Sequence, residues 1–211
     1  MRNISGILIG LMIAVLAASP VAAKRKKHLP LEPIVVDWRK TATPRDLDRL
    51  RDWRSSFVKA LERAQAGGNS QSIAREGALL NPDAGLDNVA PKPGAYRCRV
   101  IKLGGKGSLM ADYVVYPAYP CAITAEGEVM GFAKSVGSQR PIGLFFPVDN
   151  RRLIFLGTMM LGDERRPMQY GRDSARDMAG ALERIGPDRW RLILPKPNFE
   201  SMMDVIELVP N

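Results

Sequence analysis

The feature that most constrains the fold is a succession of short, alternating segments after Gly94. Tyr96, Cys98 and Val100 fall on one face of the first segment, since neighbouring strand residues point to opposite sides. Predicted strands cover residues 96–100, 113–116, 118–124, 129–134, 142–148, 153–161, 178–185, 189–194 and 205–209. Short turn signals such as Glu126-Gly127 separate several of them. About eight short strands joined in this way favour an antiparallel β-barrel or sandwich.

Helices are predicted before these strands. Thr43-Pro44 is typical of a helix start, and apolar residues then recur every three or four positions as far as Gly67-Gly68. A second short helix is expected over 70–80, followed by a proline-rich linker over 81–94. The fold class is therefore α+β, with N-terminal helices (43–94 including the linker) packed as one unit with a mainly antiparallel β domain (95–211) of lipocalin-like character.

The first 23 residues are typical of an export signal. Arg2 precedes an almost wholly apolar run from Ile7 to Ala18, and small residues lead up to Ala23. The run is shorter than the roughly 20 residues that a membrane span requires. We expect cleavage near Ala23, a periplasmic or secreted mature chain without a membrane span, and an extended arm over 24–42.

Composition excludes several kinds of chemistry. The formal net charge is +9, but four of the cations form the run 24–27, without interleaved aromatic residues, so nucleic-acid binding is not indicated. A single histidine, His28, excludes sites that need two imidazoles. The glycine-rich stretch 103–108 lacks the spacing of a phosphate-binding loop and is predicted to be a turn. No cofactor and no metal is indicated.

The two cysteines, Cys98 and Cys121, fall at apolar-facing positions of adjacent predicted strands. In an oxidising compartment a disulfide is the expected state, and a bond across 23 residues is worth roughly 3 kcal/mol. A catalytic thiol is the alternative, but it would require a nearby base.

Charged residues concentrate in 162–177, which is the most distinctive stretch of the chain. Arg172-Asp173 and Arg176-Asp177 repeat at a spacing of four, so opposite charges can pair on a helical turn. The stretch is interpreted either as a solvated, salt-bridged connection or as a charged rim around a barrel mouth that binds an anionic or peptide ligand. The turn at Ser138–Pro141 is a second candidate at a barrel end. The candidate binding residues are Gln139, Arg140, Arg172, Asp173, Arg176 and Asp177.

Several strings along the chain are shared with a known family. They include YRCRVIKLG at 96–104, GSQRP at 137–141, FLGT at 155–158, YGRD at 170–173 and ERIG at 183–186. Together with DWR at 37–39, AREGALL at 74–80 and FES at 199–201, they resemble the domain-of-unknown-function family numbered 4893, from about Trp38 to Pro210. The resemblance implies that the protein is located in the periplasm of a Gram-negative bacterium. It implies no activity, cofactor or site residue.

Three functions remain open. The first is a non-catalytic binding or structural module for a small amphiphile, an envelope component or a periplasmic protein. A cavity lined by Phe145, Phe155 and Trp190 would support ligand binding, whereas a packed interior would place function on the surface. The second is an envelope-polymer hydrolase that uses two carboxylates. Its candidate acids are Asp163, Glu164, Asp173 and Asp177. The third is an inhibitor of exported proteases.

Overall fold

Helices open the part of the chain that the structure describes. The structure is a computed structural model that describes residues 36–211. The helical elements are α1 (Trp38–Thr41), α2 (Pro44–Arg51), α3 (Trp53–Ala64), a π-helical turn (Gln65–Asn69), α4 (Ser70–Glu76) and a 3₁₀ turn (Gly77–Leu80). Thr43 caps α2 as predicted, because its hydroxyl oxygen accepts the Asp46 amide at 3.3 Å.

Two helical predictions need correction. The single helix expected from Thr43 is divided at Asp52, whose φ of −93° and ψ of 7° separate α2 from α3. The arm predicted to be extended over 24–42 contains the helical turn α1, because the Asp37 carboxylate accepts the Arg39 amide and caps it. The rest of that arm and the predicted signal over 1–23 lie outside the described residues.

Nine antiparallel strands form a single sheet. They are β1 (Gly94–Gly105), β2 (Tyr113–Val115), β3 (Tyr119–Glu126), β4 (Val129–Lys134), β5 (Gln139–Pro147), β6 (Leu153–Leu161), β7 (Asp177–Gly186), β8 (Arg189–Pro195) and β9 (Ser201–Pro210). Strands β3 to β9 follow one another, and β1 pairs with β3 on one side and with β9 on the other. The sheet therefore closes into a barrel of eight strands. The small β2 pairs with the second half of β1, on the same edge as β3.

The predicted disulfide is present. Cys98 and Cys121 are bonded, with their Cα atoms 5.9 Å apart, and they join β1 to β3 inside the barrel. No free cysteine remains.

Aromatic side chains fill the middle of the barrel. The rings of Phe132, Phe145 and Phe155 are fully or almost fully buried, with centroids 5.5–5.9 Å apart. The barrel interior around Phe145 and Phe155 is therefore packed, which is the alternative to a cavity lined by Phe145, Phe155 and Trp190. Gly143 and Gly157 face each other across β5 and β6, and a Cβ on either would lie within 2.8 Å of the Phe155 ring. The two glycines thus make room for that ring.

The helices pack on the outside of the barrel. Phe57 and Leu61 of α3 contact a cluster that includes Ile193 and Val205, while Leu50 of α2 lies in a second cluster with Ile154. Arg191, completely buried beneath the helices, pairs with Glu183 at 2.7 Å and donates to the carbonyl oxygens of residues 78, 79, 81 and 82. This arginine points away from the barrel interior, yet it is shielded from solvent because the helical segment covers it.

The two ends of the barrel differ. At the end where β1 begins, which we call the closed end, residues 86–94 cross the opening and insert Val89 into the barrel core. The indole of Trp190 donates to the Val89 carbonyl at 2.7 Å, and the Tyr96 hydroxyl donates to the Lys92 carbonyl at 2.7 Å. The opposite end, where β1 finishes, we call the open end.

Candidate functional site

A cavity of about 120 Å³ lies inside the barrel at the open end. Its floor is apolar and is formed by Val100, Met159 and Ile206. Val100 and Ile206 each lie two residues along the strand, one inward-facing position, nearer the middle of the barrel than Lys102 and Asp204. Tyr116, Tyr119 and Pro141 contribute to the wall. The exposed turn residues Gly137 and Ser138 lie at the mouth, so the cavity opens toward solvent there.

Five charged or amide side chains line the cavity above this floor. They are Lys102, Lys134, Gln139, Glu200 and Asp204. Burying charged groups inside a barrel is costly unless they are paired, so a polar layer at one end calls for a reason beyond stability.

Lys102 is fully paired. Its ammonium lies 3.0 Å from Asp204 Oδ2 and 3.3 Å from Glu200 Oε2, and it donates to Gln139 Oε1 at 3.1 Å. Burial lowers the pKa of Lys102, but the attraction of the two carboxylates outweighs burial, so the pKa lies above its usual value. The charge of Lys102 is therefore held and compensated.

Asp204 is the more deeply buried of the two carboxylates that pair with Lys102. It is almost inaccessible to solvent and accepts a hydrogen bond from the Ser201 hydroxyl as well as from Lys102. Complete burial raises the pKa of Asp204, against the lowering effect of Lys102 and Ser201. Register places Asp204 directly opposite Lys102 on β1, which fixes the geometry of the pair.

Lys134 lacks a carboxylate partner among the described residues. Its buried ammonium donates to the carbonyl oxygens of Val136 at 2.8 Å and Gln139 at 2.9 Å, and it lies 4.4 Å from the ring centroid of Tyr119. Burial, followed by repulsion from Arg140 and Lys102, lowers the pKa of Lys134.

The β4–β5 turn holds Lys134 in place. Gly137 has a φ of +96°, a left-handed conformation that side chains rarely adopt, and a Cβ there would lie 2.8 Å from the Lys134 ammonium. The glycine thus lets the turn fold back closely enough for the Val136 carbonyl to reach the lysine.

The predicted binding residues are distributed over two surfaces. Gln139 lies in the cavity, where its amide bridges Lys102 and Glu200 Oε1, the latter at 3.2 Å. Arg140 donates instead to the carbonyl oxygens of Leu161 and Glu164, at 3.2 and 2.8 Å. Neighbouring strand residues point to opposite sides of the sheet, so the two candidates are separated.

The β6–β7 connection, residues 162–176, contains most of the remaining candidates. Arg172 is exposed, and the Asp173 carboxylate accepts the Ala175 amide at 2.9 Å. Arg176 pairs with Glu164 at 3.0 Å, rather than with a neighbouring aspartate at helical spacing, because the connection is not helical.

Asp177 faces outward beneath α2. Its carboxylate accepts the Gly171 amide at 2.9 Å, and its backbone carbonyl accepts from buried Arg49 at 2.8 Å. Arg49 is paired with Asp46 at 2.7 Å, and the hydroxyl of Tyr170 donates to Asp46 at 2.6 Å. Burial raises the pKa of Asp177. This cluster attaches α2 to the barrel. Arg176 and Asp177 also line a small cavity of about 10 Å³ together with Gln139, so the structure brings these three predicted residues together beside the open-end cavity.

Both lysines and Asp204 were missed by the sequence reasoning. The alternation of strand residues could have identified them, because Lys102 continues the inward-facing positions of Cys98 and Val100. The same rule places Lys134 on the face of Phe132, and Asp204 on the face of Ile206 and Leu208.

A larger groove of about 640 Å³ lies at the closed end. Its charged lining residues are Lys92, Arg184 and Asp188, and none of these three is buried. Within residues 36–211, no group of three or more histidine, cysteine or acidic side chains is arranged to hold a metal ion. None of the helices described is long and apolar enough to cross a membrane. The cavity at the open end is therefore the candidate site.

Comparison with known protein families identifies the family of this chain. The family described as Domain of unknown function (DUF4893) matches residues 38–208. No curated protein and no solved structure matches the chain.

Proposed function

The chain belongs to the DUF4893 family, and we propose that it is an exported, non-catalytic binding module that holds a small amphiphile at the open end of its barrel. The observation that carries the proposal is the layering of the cavity. An apolar floor (Val100, Met159, Ile206) lies beneath a layer of charged and amide groups. A ligand with a short apolar part and a polar head fits this order, with its apolar part inward.

Two observations support export. The first 23 residues have the composition of a cleaved signal, and Cys98–Cys121 is a disulfide of the kind that persists in oxidising compartments. They support a mature protein that is periplasmic or secreted, and the family resemblance favours the periplasm of a Gram-negative cell.

The size of the cavity limits the ligand. A dry engineered cavity of about 150 Å³ accepts benzene. At about 120 Å³ the open-end cavity would take a chain of a few carbon atoms together with its head group. A long acyl chain would require displacement of Phe132 and its aromatic neighbours, which are packed and buried below the floor.

Native mass spectrometry of the protein purified from the periplasm of its own host tests this function. We expect a reproducible excess mass that is lost on denaturation, on a chain that begins at Lys24. Ile206→Phe is the matched variant, because it adds volume at the cavity floor, and it should carry no excess mass. A wild-type protein without excess mass that also binds no added amphiphile would overturn the proposal.

A further inference from the structure

We infer that the head group of the ligand is a carboxylate and that Lys134 is the residue that recognises it. This inference rests on the proposed function and assigns the chemical class of the ligand. The polar layer of the cavity contains two lysines with different partners, and the difference between them decides which one is free to meet a charged ligand.

Lys102 is already neutralised. Asp204 and Glu200 lie within 3.3 Å of its ammonium, and the Gln139 oxygen fills a third position around it. A ligand carboxylate at Lys102 would have to displace Asp204 or Glu200. Asp204 is held by strand register, and Glu200 is held by a hydrogen bond from Gln139.

Lys134 is not neutralised. Its contacts are two uncharged carbonyl oxygens and the face of the Tyr119 ring. These partners solvate an ammonium without cancelling its charge. Because the group is buried, the remaining charge acts through a medium of lower polarity than water, where an opposite charge is attracted more strongly.

The charges around the cavity also favour an anion. Lys102 and Lys134 line the cavity with the carboxylates of Glu200 and Asp204, and Arg140, on the other side of the sheet, lies close enough to repel the Lys134 ammonium. Both carboxylates are engaged with Lys102, while Gln139 and Ser201 donate to Glu200 and Asp204, respectively. A cationic head group would thus compete with Lys102, whereas an anionic head group would neutralise Lys134.

The test compares ligands that share a chain and differ in the head group. Hexanoate, hexanamide, hexan-1-ol and hexylamine are titrated into the mature protein by calorimetry at neutral pH. Both head groups can accept a hydrogen bond from the Lys134 ammonium, but a bond between two opposite charges is stronger than one to a neutral acceptor, so we expect hexanoate to bind at least ~10-fold more tightly than hexanamide. Hexylamine should bind most weakly.

Two variants locate the preference. Lys134→Gln keeps an N–H donor for the carbonyl oxygens but removes the charge, and it should abolish the preference for hexanoate over hexanamide. Lys92→Gln removes the same charge from the exposed surface of the closed end and should leave the preference unchanged. The wild-type comparison of the four head groups requires no variant, so it stands even if Lys134→Gln folds poorly.

Failure of this inference is distinguishable from failure of the proposed function. Equal binding of hexanoate and hexanamide, or tightest binding of hexylamine, would overturn the role of Lys134 while leaving a ligand-binding barrel. A preference that survives in Lys134→Gln would do the same. Absence of binding by all four, together with absence of a co-purified mass, would overturn both.

Discussion

The two ends of the barrel show opposite ways of finishing the same inward-facing surface. At the closed end, Val89 completes the core and the polar atoms of Trp190 and Tyr96 bind backbone carbonyls. At the open end, inward positions are occupied by Lys102, Lys134 and other charged or amide groups around a cavity. Apolar closure would have stabilised the open end as well, so the polar alternative indicates a site rather than a structural solution.

Breaking the buried ion pair should have the largest effect. Asp204→Asn leaves Lys102 buried without its nearest carboxylate, and we expect the free energy of unfolding to fall by about 3–5 kcal/mol. Denaturant titration measures this loss.

A double substitution is the control for that loss. Lys102→Met combined with Asp204→Leu removes both charges and restores an apolar layer like that of the closed end, so stability should equal or exceed that of the wild type. A double variant as unstable as Asp204→Asn would show that the ion pair itself stabilises the fold. The polar layer at the open end would then be explained by stability and would no longer indicate a site.

Removing the disulfide should have the next largest effect. Replacing both cysteines (Cys98→Ala with Cys121→Ala) increases the number of conformations open to the unfolded chain. The chain-entropy model then predicts that the free energy of unfolding falls by about 3 kcal/mol. The bond crosslinks β1 and β3 between the two ends, so well below the unfolding temperature hexanoate should still bind. Thermal unfolding and calorimetry measure the two quantities separately, and unchanged stability would contradict the expectation.

Truncation at the closed end should cost less and should leave the site intact. Val89→Ala removes two buried methyl groups, and we expect a loss of about 2 kcal/mol in the free energy of unfolding. Hexanoate affinity should not change, because Val89 lies at the opposite end from Lys134. A parallel loss of affinity would mean that the two ends are coupled.

The smallest effect is a pH dependence at the open end. A carboxylate requires the charged form of Lys134, and burial together with Arg140 and Lys102 lowers the pKa of this ammonium. A cation loses its charge as pH rises through its pKa. Hexanoate affinity should therefore begin to decline at a lower pH than it would if a solvent-exposed lysine bound the carboxylate.

The other groups that face Lys134 are Glu200, Asp204 and Tyr119, so the control is hexanamide, whose binding should not follow the titration of Lys134. Calorimetry between neutral and alkaline pH provides the comparison. A hexanoate affinity that stays constant up to the usual range of lysine would contradict the assignment.

Much of the fold followed from periodicity and turn chemistry. Alternation within strands indicated the β domain, and the Thr43-Pro44 cap indicated the start of α2. The positions of Cys98 and Cys121 on adjacent predicted strands, in a chain with an export signal, indicated the disulfide. These features are local or depend on adjacent strands. Closure into a barrel depends on pairing between β1 and β9, more than 90 residues apart, which no local pattern encodes.

The site was harder to predict because it depends on residues that are distant in sequence. Gln139 was identified from its turn, but its partners Lys102 and Glu200 lie on other elements. The charge-rich connection over 162–176 attracted attention through composition, yet the structure ties Arg176 to Glu164 within it. Lysines that interrupt an inward-facing apolar pattern were a more informative signal than a high density of charge.

Methyl NMR during a hexanoate titration tests the contrast between the two ends most directly. The account predicts that methyl signals of Val100, Met159 and Ile206 shift with ligand, while those of Val89 and Leu208 at the closed end stay in place. Shifts confined to the closed end, or no shifts at any of these residues, would contradict the claim that the open end is the binding site.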